Sequence, residues 1–388
     1  MKETRNDFTR RHFLTAISSM GGIMLLKSFQ SFALDETDPR IVAIIKKTIA
    51  IDTHNHIDVP LKKEELPGPA VELNAEMKKS GLSAICMTFA VDYQKLTYEG
   101  EAYERFVNGL DAMDKILENN QIKRAHNLSD LKKAHKSGTP TVIQSVEGGH
   151  FLEGKIERLE IAYQRGLRQL GLLHDNDASV PLGDIFTNPP KFNGLSDFGK
   201  GVVKECNRLG ILIDLTHCSD AAINDALKIS SKPVIVSHTS LNTQLGQNPN
   251  MAKMMMPRLI SKEQAKIVAD AGGLIGVWRH LTDSPSMYAQ NIKAMVEVVG
   301  LDHVCLGTDT KLTPAYRSPN ANQNRPNNAN QPKRFGERTN EIWESQHSGY
   351  FYTVVEELLK LGLTEPEIIK ICGANFCKVF DLATKGHN

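Results

Sequence analysis

This 388-residue chain is most usefully read first through what it lacks. It has no excess of one charge: 46 Lys and Arg against 45 Asp and Glu leave +1. That balance gives no electrostatic reason to expect nucleic acid or an anionic membrane surface as a partner. It has no long apolar run. The stretch from Thr15 to Leu26 spans about 12 residues, short of the roughly 18–20 that a spanning helix needs. None of its six cysteines (Cys86, Cys206, Cys218, Cys305, Cys372, Cys377) has zinc-ribbon or C-x-x-C spacing, so no disulfide or structural zinc is assigned. Cys86 and Cys305 sit in apolar strand-like runs and are expected as buried thiols. There is no G-x-G-x-x-G or P-loop sequence and no 20–50-residue repeat.

What is present begins with an export signal. Thr9-Arg10-Arg11-His12-Phe13-Leu14 is a twin-arginine region, Thr15 to Leu26 is short and rich in small residues, and Ser31-Phe32-Ala33 has the form of a cleavage site. Residues 1–33 are therefore read as a signal, and 34–388 as one domain with no stable membrane anchor once the signal is gone. Its removal takes away five basic and two acidic residues and leaves 41 against 43, net −2. The expected destination is the periplasm or another exported location, which permits disulfides. Export of a folded chain also hints at a cofactor loaded beforehand.

The remainder alternates short β-branched runs with longer amphipathic ones, the pattern of a parallel sheet with crossover helices. Eight strands are expected, over 48–53, 83–90, 141–146, 167–173, 211–215, 233–236, 273–277 and 303–307. Helices are expected over 103–118, 198–208, 262–271 and 290–299. Eight strands over about 260 residues suit an α/β fold of the (β/α)8 TIM-barrel type; a doubly wound open sheet is the alternative. Stretches 350–360 and 366–380 are expected to form helices closing the barrel. Segments 176–196 and 313–340 are expected as long loops at the catalytic face, the second rich in asparagine.

Metal-ligand residues fall where such a barrel would gather them. Strand one ends in His54-Asn55-His56, strand three in Glu147, strand four in His174, strand five in His217, strand six in His238 and strand eight in Asp309. In a parallel barrel all these ends share one rim. The i, i+2 spacing of His54 and His56 puts both imidazoles on one face of an extended segment. His54 and His56 are expected to hold one divalent ion and His217 and His238 a second, with Glu147 bridging. Zinc is the first expectation, with manganese, iron and cobalt open. Two such ions can share a hydroxide and polarise a carbonyl. Asp309 would then move the proton to the leaving amine and His174 would stabilise the oxyanion, so amide or ester hydrolysis is the expected reaction. His280, just beyond strand seven, is a further pocket candidate. His126, His135, His150, His303, His347 and His387 are assigned no role.

The chain resembles the membrane (renal-type) dipeptidases, peptidase family M19, from about residue 47 to 380. The resemblance rests on Ile51-Asp52-Thr53-His54-Asn55-His56, Val146-Glu147-Gly148-Gly149, Leu172-Leu173-His174 and Gly194-Leu195-Ser196-Asp197-Phe198-Gly199. It continues through Ile213-Asp214-Leu215-Thr216-His217, Pro233-Val234-Ile235-Val236-Ser237-His238, Gly300-Leu301-Asp302-His303-Val304, Gly307-Thr308-Asp309 and Gly373-Ala374-Asn375-Phe376. It implies a binuclear zinc barrel, often dimeric, that cleaves dipeptides and commonly accepts a D-residue at the C-terminal side. It also implies that Arg258 binds the substrate's free carboxylate. The chain departs from the family at His56, where H-x-D is usual, at a long segment from His238 to Arg258, and at Thr310-Lys311, where an acid usually follows Asp309. His56 in place of a carboxylate leaves the metal pair about one unit more positive. A related amidohydrolase acting on N-acyl amino acids, lactones or other small amides is the second hypothesis. A non-catalytic metal- or solute-binding barrel is the third; Asp309 and His174 argue against it.

Overall fold

The computed structural model describes residues 38–318 and 335–386. The expected export signal, and residues 319–334 of the asparagine-rich loop, lie outside the described residues. The chain divides into two units between Val42 and Ala43. All the strands and the candidate site belong to the second.

Eight parallel strands close into a barrel: β1 (Ile51–His56), β2 (Ala84–Thr88), β3 (Thr141–Val146), β4 (Leu167–Gly171), β5 (Leu212–Asp214), β6 (Ile235–Thr239), β7 (Leu274–Val277) and β8 (Val304–Leu306). Neighbours pair in sequence order, and β8 returns to β1 through Asp52 opposite Leu306. Two-residue strands Lys123–Arg124 and Thr310–Lys311 extend β3 and β1. Every residue of β3 is buried, as a strand covered on both faces requires, and its sequence TVIQSV shows no clean alternation.

The helices follow local signals. Asp197–Leu209 starts at Ser196, whose side chain accepts from Gly199 N, and stops at left-handed Gly210. The last helix, Asn375–Thr384, closes the floor of the barrel. Its Phe376, Val379 and Phe380 pack with Ile51, Ala84, Leu212, Ile235 and Leu274, each the first residue of its strand. All six cysteines are buried free thiols.

Two expectations are corrected. The first strand is not 48–53 but Ile51–His56. Its polar residues stay in the sheet because Asp52 accepts from Thr308 N and Oγ1, and Asn55 bonds Asp52, Thr339 and Leu312. The sixth strand runs to Thr239 and so carries His238 within it. The two or three helices expected over 350–360 and 366–380 are three, Tyr350–Lys360, Glu365–Ile369 and Asn375–Thr384, the last two joined by a wide π turn, Lys370–Ala374.

Register breaks mark the rim. β1 shifts against β2 between Asp52 and Asn55, and β6 shifts against β7 between Val236 and Thr239. His54 lies inside the first irregularity and His238 inside the second. Such bulges re-aim side chains, and here they turn both imidazoles toward the axis. The interior is close-packed below them: a Cβ on Gly307 would lie 1.8 Å from Ser237 O and 2.8 Å from Thr53 Oγ1. That carbonyl is fixed backbone, itself bonded by Thr53 Oγ1 at 2.9 Å. Gly307→Ala is therefore expected to cost about 3 kcal/mol, read as a lower melting temperature; an unchanged melt would contradict so close an approach.

Candidate metal centre

The barrel rim brings the scattered donors together around one carboxylate. Glu147 follows β3 and is 3% exposed. Its Oε1 lies 2.9 Å from His217 Nε2, 3.5 Å from His54 Nε2 and 3.6 Å from His238 Nε2. Its Oε2 lies 3.2 Å from His174 Nε2 and 3.5 Å from His56 Nε2. Asp309 Oδ1 faces His56 Nε2 at 3.2 Å, and its Oδ2 accepts from His280 Nε2 at 2.8 Å. Every residue named for the site from the sequence is thus in this cluster or, for Arg258, at its edge. Arg258 Nη2 donates to Asp175 Oδ2 at 2.7 Å, and Asp175 Oδ1 lies 3.2 Å from His217 Nδ1.

Local backbone makes these placements. Gly148 adopts φ +84°, and a Cβ there would meet His150 Nδ1 at 2.5 Å, so only glycine lets the chain turn directly after Glu147. His217 and Asp309 hold positive φ of 67° and 54°. Left-handed backbone at two non-glycine residues costs about 1–3 kcal/mol each and persists only where the surroundings enforce it.

The charges suit cation binding. Burial opposes ionisation of Glu147, but His174, His54 and His217 outweigh it and hold the carboxyl well below its ordinary range. Burial, then the neighbouring His238, keeps His54 well below the usual imidazole value, so it is neutral at pH 7. His217 is pushed up to about 10: burial disfavours its charge, but Asp175 and Glu147 more than compensate.

The donor set fits divalent ions. Zinc bonds of 2.0–2.1 Å at tetrahedral angles put ligand atoms about 3.3 Å apart. His54 Nε2 and His56 Nε2 are 3.1 Å apart, and each is 3.5 Å from a Glu147 oxygen. Glu147 Oε2 is buried with no hydrogen-bond partner. Three donor groups are present among the described residues: His54, His56 and Asp309; His54, Asp214 and His238, which shares His54 with the first; and Glu147, His174 and His217. His54 and His238 stack at 3.9 Å between ring centroids, closer than the 5.2 Å between His217 and His238.

An outer ring of acids and hydroxyls holds the imidazoles from behind, and most of it was not singled out from the sequence. Ser237 Oγ lies 3.0 Å from His238 Nδ1 and 3.4 Å from His54 Nδ1, and donates to Asp214 Oδ2 at 2.5 Å. One serine thus accepts from two ligands and passes the polarity to a buried carboxylate. His174 Nδ1 meets Asp92 Oδ1 at 2.6 Å. The Tyr93 hydroxyl lies 2.6 Å from His56 Nδ1. Asp214 had a sequence signal, an acid inside an apolar strand. Asp92, four residues past the end of β2, had none that sets it apart from an ordinary turn acid.

The chain's relatives are consistent with this geometry. The family model of the membrane dipeptidases (peptidase family M19) matches residues 39–316. The dipeptidase tcpJ of Claviceps purpurea is 28% identical over 276 residues, covering 70% of this chain and 58% of its own length. The chain therefore spans little more than half of that relative. An amidohydrolase structure from Pseudomonas aeruginosa aligns with a TM-score of 0.67 at 23% identity, over 88% of this chain and 98% of the other. A metallopeptidase from Rhodobacter sphaeroides, liganded with a phosphinate mimic of the dipeptide L-Ala-D-Ala, aligns with a TM-score of 0.62 at 17% identity, over 87% of this chain and 99% of the other. At these identities the two structures speak to the fold.

Two outcomes are expected. Because His217 holds a proton up to about pH 10, adding zinc to chelator-stripped protein at pH 7 should release protons, and affinity should rise with pH. Metal uptake without proton release in weakly buffered solution would contradict this. Ser237→Ala should weaken metal affinity about tenfold or more, measured by chelator competition, with the fold retained.

Proposed function

Since the chain belongs to the membrane dipeptidase family, peptidase family M19, we propose that it is an exported hydrolase cleaving the amide bond of dipeptides at a pair of divalent ions, zinc first. The observation that carries this is the buried Glu147 carboxylate, with five imidazole nitrogens within 3.6 Å of its two oxygens. His54 and His56 would hold one ion, His217 and His238 the other, and Glu147 both. Bound there, the ions supply Lewis acidity toward a carbonyl and acidify water at neutral pH.

The chain's own residues supply the rest. Arg258 receives the substrate's free carboxylate on the His217 side of the centre, using guanidinium donors that Asp175 does not take. His174 presents Nε2 to the carbonyl oxygen of the bond under attack and meets the negative charge that develops there. Asp309 Oδ1 takes the proton from the attacking water and carries it to the leaving nitrogen. Its Oδ2 is held by His280 meanwhile. Burial of the histidines keeps bulk water from competing. The bound dipeptide mimic in the Rhodobacter sphaeroides relative supports the substrate class.

One observation favours a second hypothesis. Arg258 is already paired with Asp175 at 2.7 Å, which weakens its demand for a substrate carboxylate. A related amidohydrolase acting on N-acyl amino acids, lactones or other small amides would use the same centre.

Metal analysis of the purified mature protein, with a screen of L,L- and L,D-dipeptides, decides between them. Two metals per chain and dipeptide turnover are expected; two metals with no peptide turnover but cleavage of N-acyl amino acids would favour the second. Asp309→Asn should lower kcat at least 100-fold with metal retained, in the range that positioned proton transfer contributes; retained turnover would remove Asp309 from the mechanism. Replacing Arg10-Arg11 by a lysine pair should leave the precursor in the cytoplasm. A homodimer, the assembly implied by resemblance, is checked by light scattering.

A further inference from the structure

We propose that Asp92 is a positioning residue for the hydrolytic step, acting through His174. The inference rests on the role given above to His174.

Asp92 stands past β2, and its side chain is 2% exposed. Its Oδ1 takes the Nδ1 proton of His174 at 2.6 Å, and its Oδ2 takes an N–H of the Asn176 side chain at 3.0 Å. His150 Nε2 lies 3.7 Å from Oδ2 but spends its own bond on Asn176 O at 2.8 Å. Asp92 is thus held on two sides, and the imidazole of His174 is held by it.

The consequence is geometric. A neutral imidazole carries its proton on one nitrogen, and the bond made by the other end decides which. With Nδ1–H committed to a buried carboxylate, Nε2 is the nitrogen turned to the centre, 3.2 Å from Glu147 Oε2. A buried aspartate behind a histidine orients and supports it in the same way in hydrolases of unrelated fold. Asp92 also borders a cavity of about 520 Å³ with Tyr93, Lys95, Leu96, Asn176 and Asp177.

The role differs from a structural one in what it changes. An oxyanion donor acts after attack begins, so losing its orientation lowers kcat and leaves substrate binding alone. Asp92→Asn keeps the shape and an acceptor but removes the charge; Asp92→Ala removes both.

The experiment uses the full metal-loaded protein and four forms: wild type, Asp92→Asn, His174→Ala and the double variant. Expected are a fall in kcat of tenfold or more for Asp92→Asn with KM within about threefold, unchanged metal content, and weaker binding of a phosphinate dipeptide mimic. In the His174→Ala background, Asp92→Asn should change kcat less than twofold. Side-chain ¹⁵N spectra of the histidines should show the His174 Nδ1–H signal shifted or lost in Asp92→Ala. An unchanged kcat in Asp92→Asn while His174→Ala is impaired would overturn the role of Asp92 alone. Equal losses in both backgrounds would also overturn it. Full activity in His174→Ala would overturn the role of His174 and this inference with it.

Discussion

The centre depends on keeping one carboxylate ionised where no water reaches it. An uncompensated buried charge costs several kcal/mol. Glu147 avoids that cost only because five imidazoles converge on it, and they converge only because the five strands that carry them and Glu147 end at the same rim. Remove the closure of the barrel between β8 and β1 and the donors disperse. The fold is therefore a condition of the chemistry, and the chemistry makes a demand on the fold in return: two residues of the site, His217 and Asp309, sit in left-handed backbone that only the assembled rim enforces.

Imidazoles pointed at a common carboxylate must have their other nitrogen satisfied elsewhere, or burial costs them as well. The chain meets this with a ring of outer partners. Asp214 serves His54 and His238 through a single hydroxyl, Asp92 serves His174 directly, and Asp175 stands at His217 Nδ1. These partners fix which nitrogen faces inward, so they set the ligands' geometry as much as the strands do. Asp175 also reaches Arg258, which ties the edge of the substrate cleft to a candidate ligand.

Much of this was legible in the sequence, and the limit has a physical cause. The barrel followed from strand count and spacing, and Glu147 with its five histidines followed from asking what stands at each strand end. That question gave His280, past β7, as a further pocket candidate and left the end of β2 empty. The structure puts His280 against Asp309 and supplies Asp92 past β2. Asp92 was missed because an acid in a turn is ordinary, and nothing local says that it will be buried. Strand boundaries erred where polar residues stayed in the sheet. A sequence window stops the first strand at Thr53 and leaves polar His54-Asn55-His56 outside it, because the hydrogen bonds that hold this end of the strand come from Thr308, Leu312 and Thr339, some 250 to 290 residues away.

The substitution at His56 gains meaning from the same accounting. A carboxylate at that position would bring negative charge into direct contact with the cations; a histidine brings none. The chain does not lack the charge, however. Asp92 and Asp175 stand one layer further out, each against an imidazole of the cluster. A carboxylate at that distance still offsets positive charge through a low-dielectric interior, but it occupies no coordination position and can orient a ring instead. Negative charge in that outer layer would thus offset a bound ion less directly while fixing imidazole geometry.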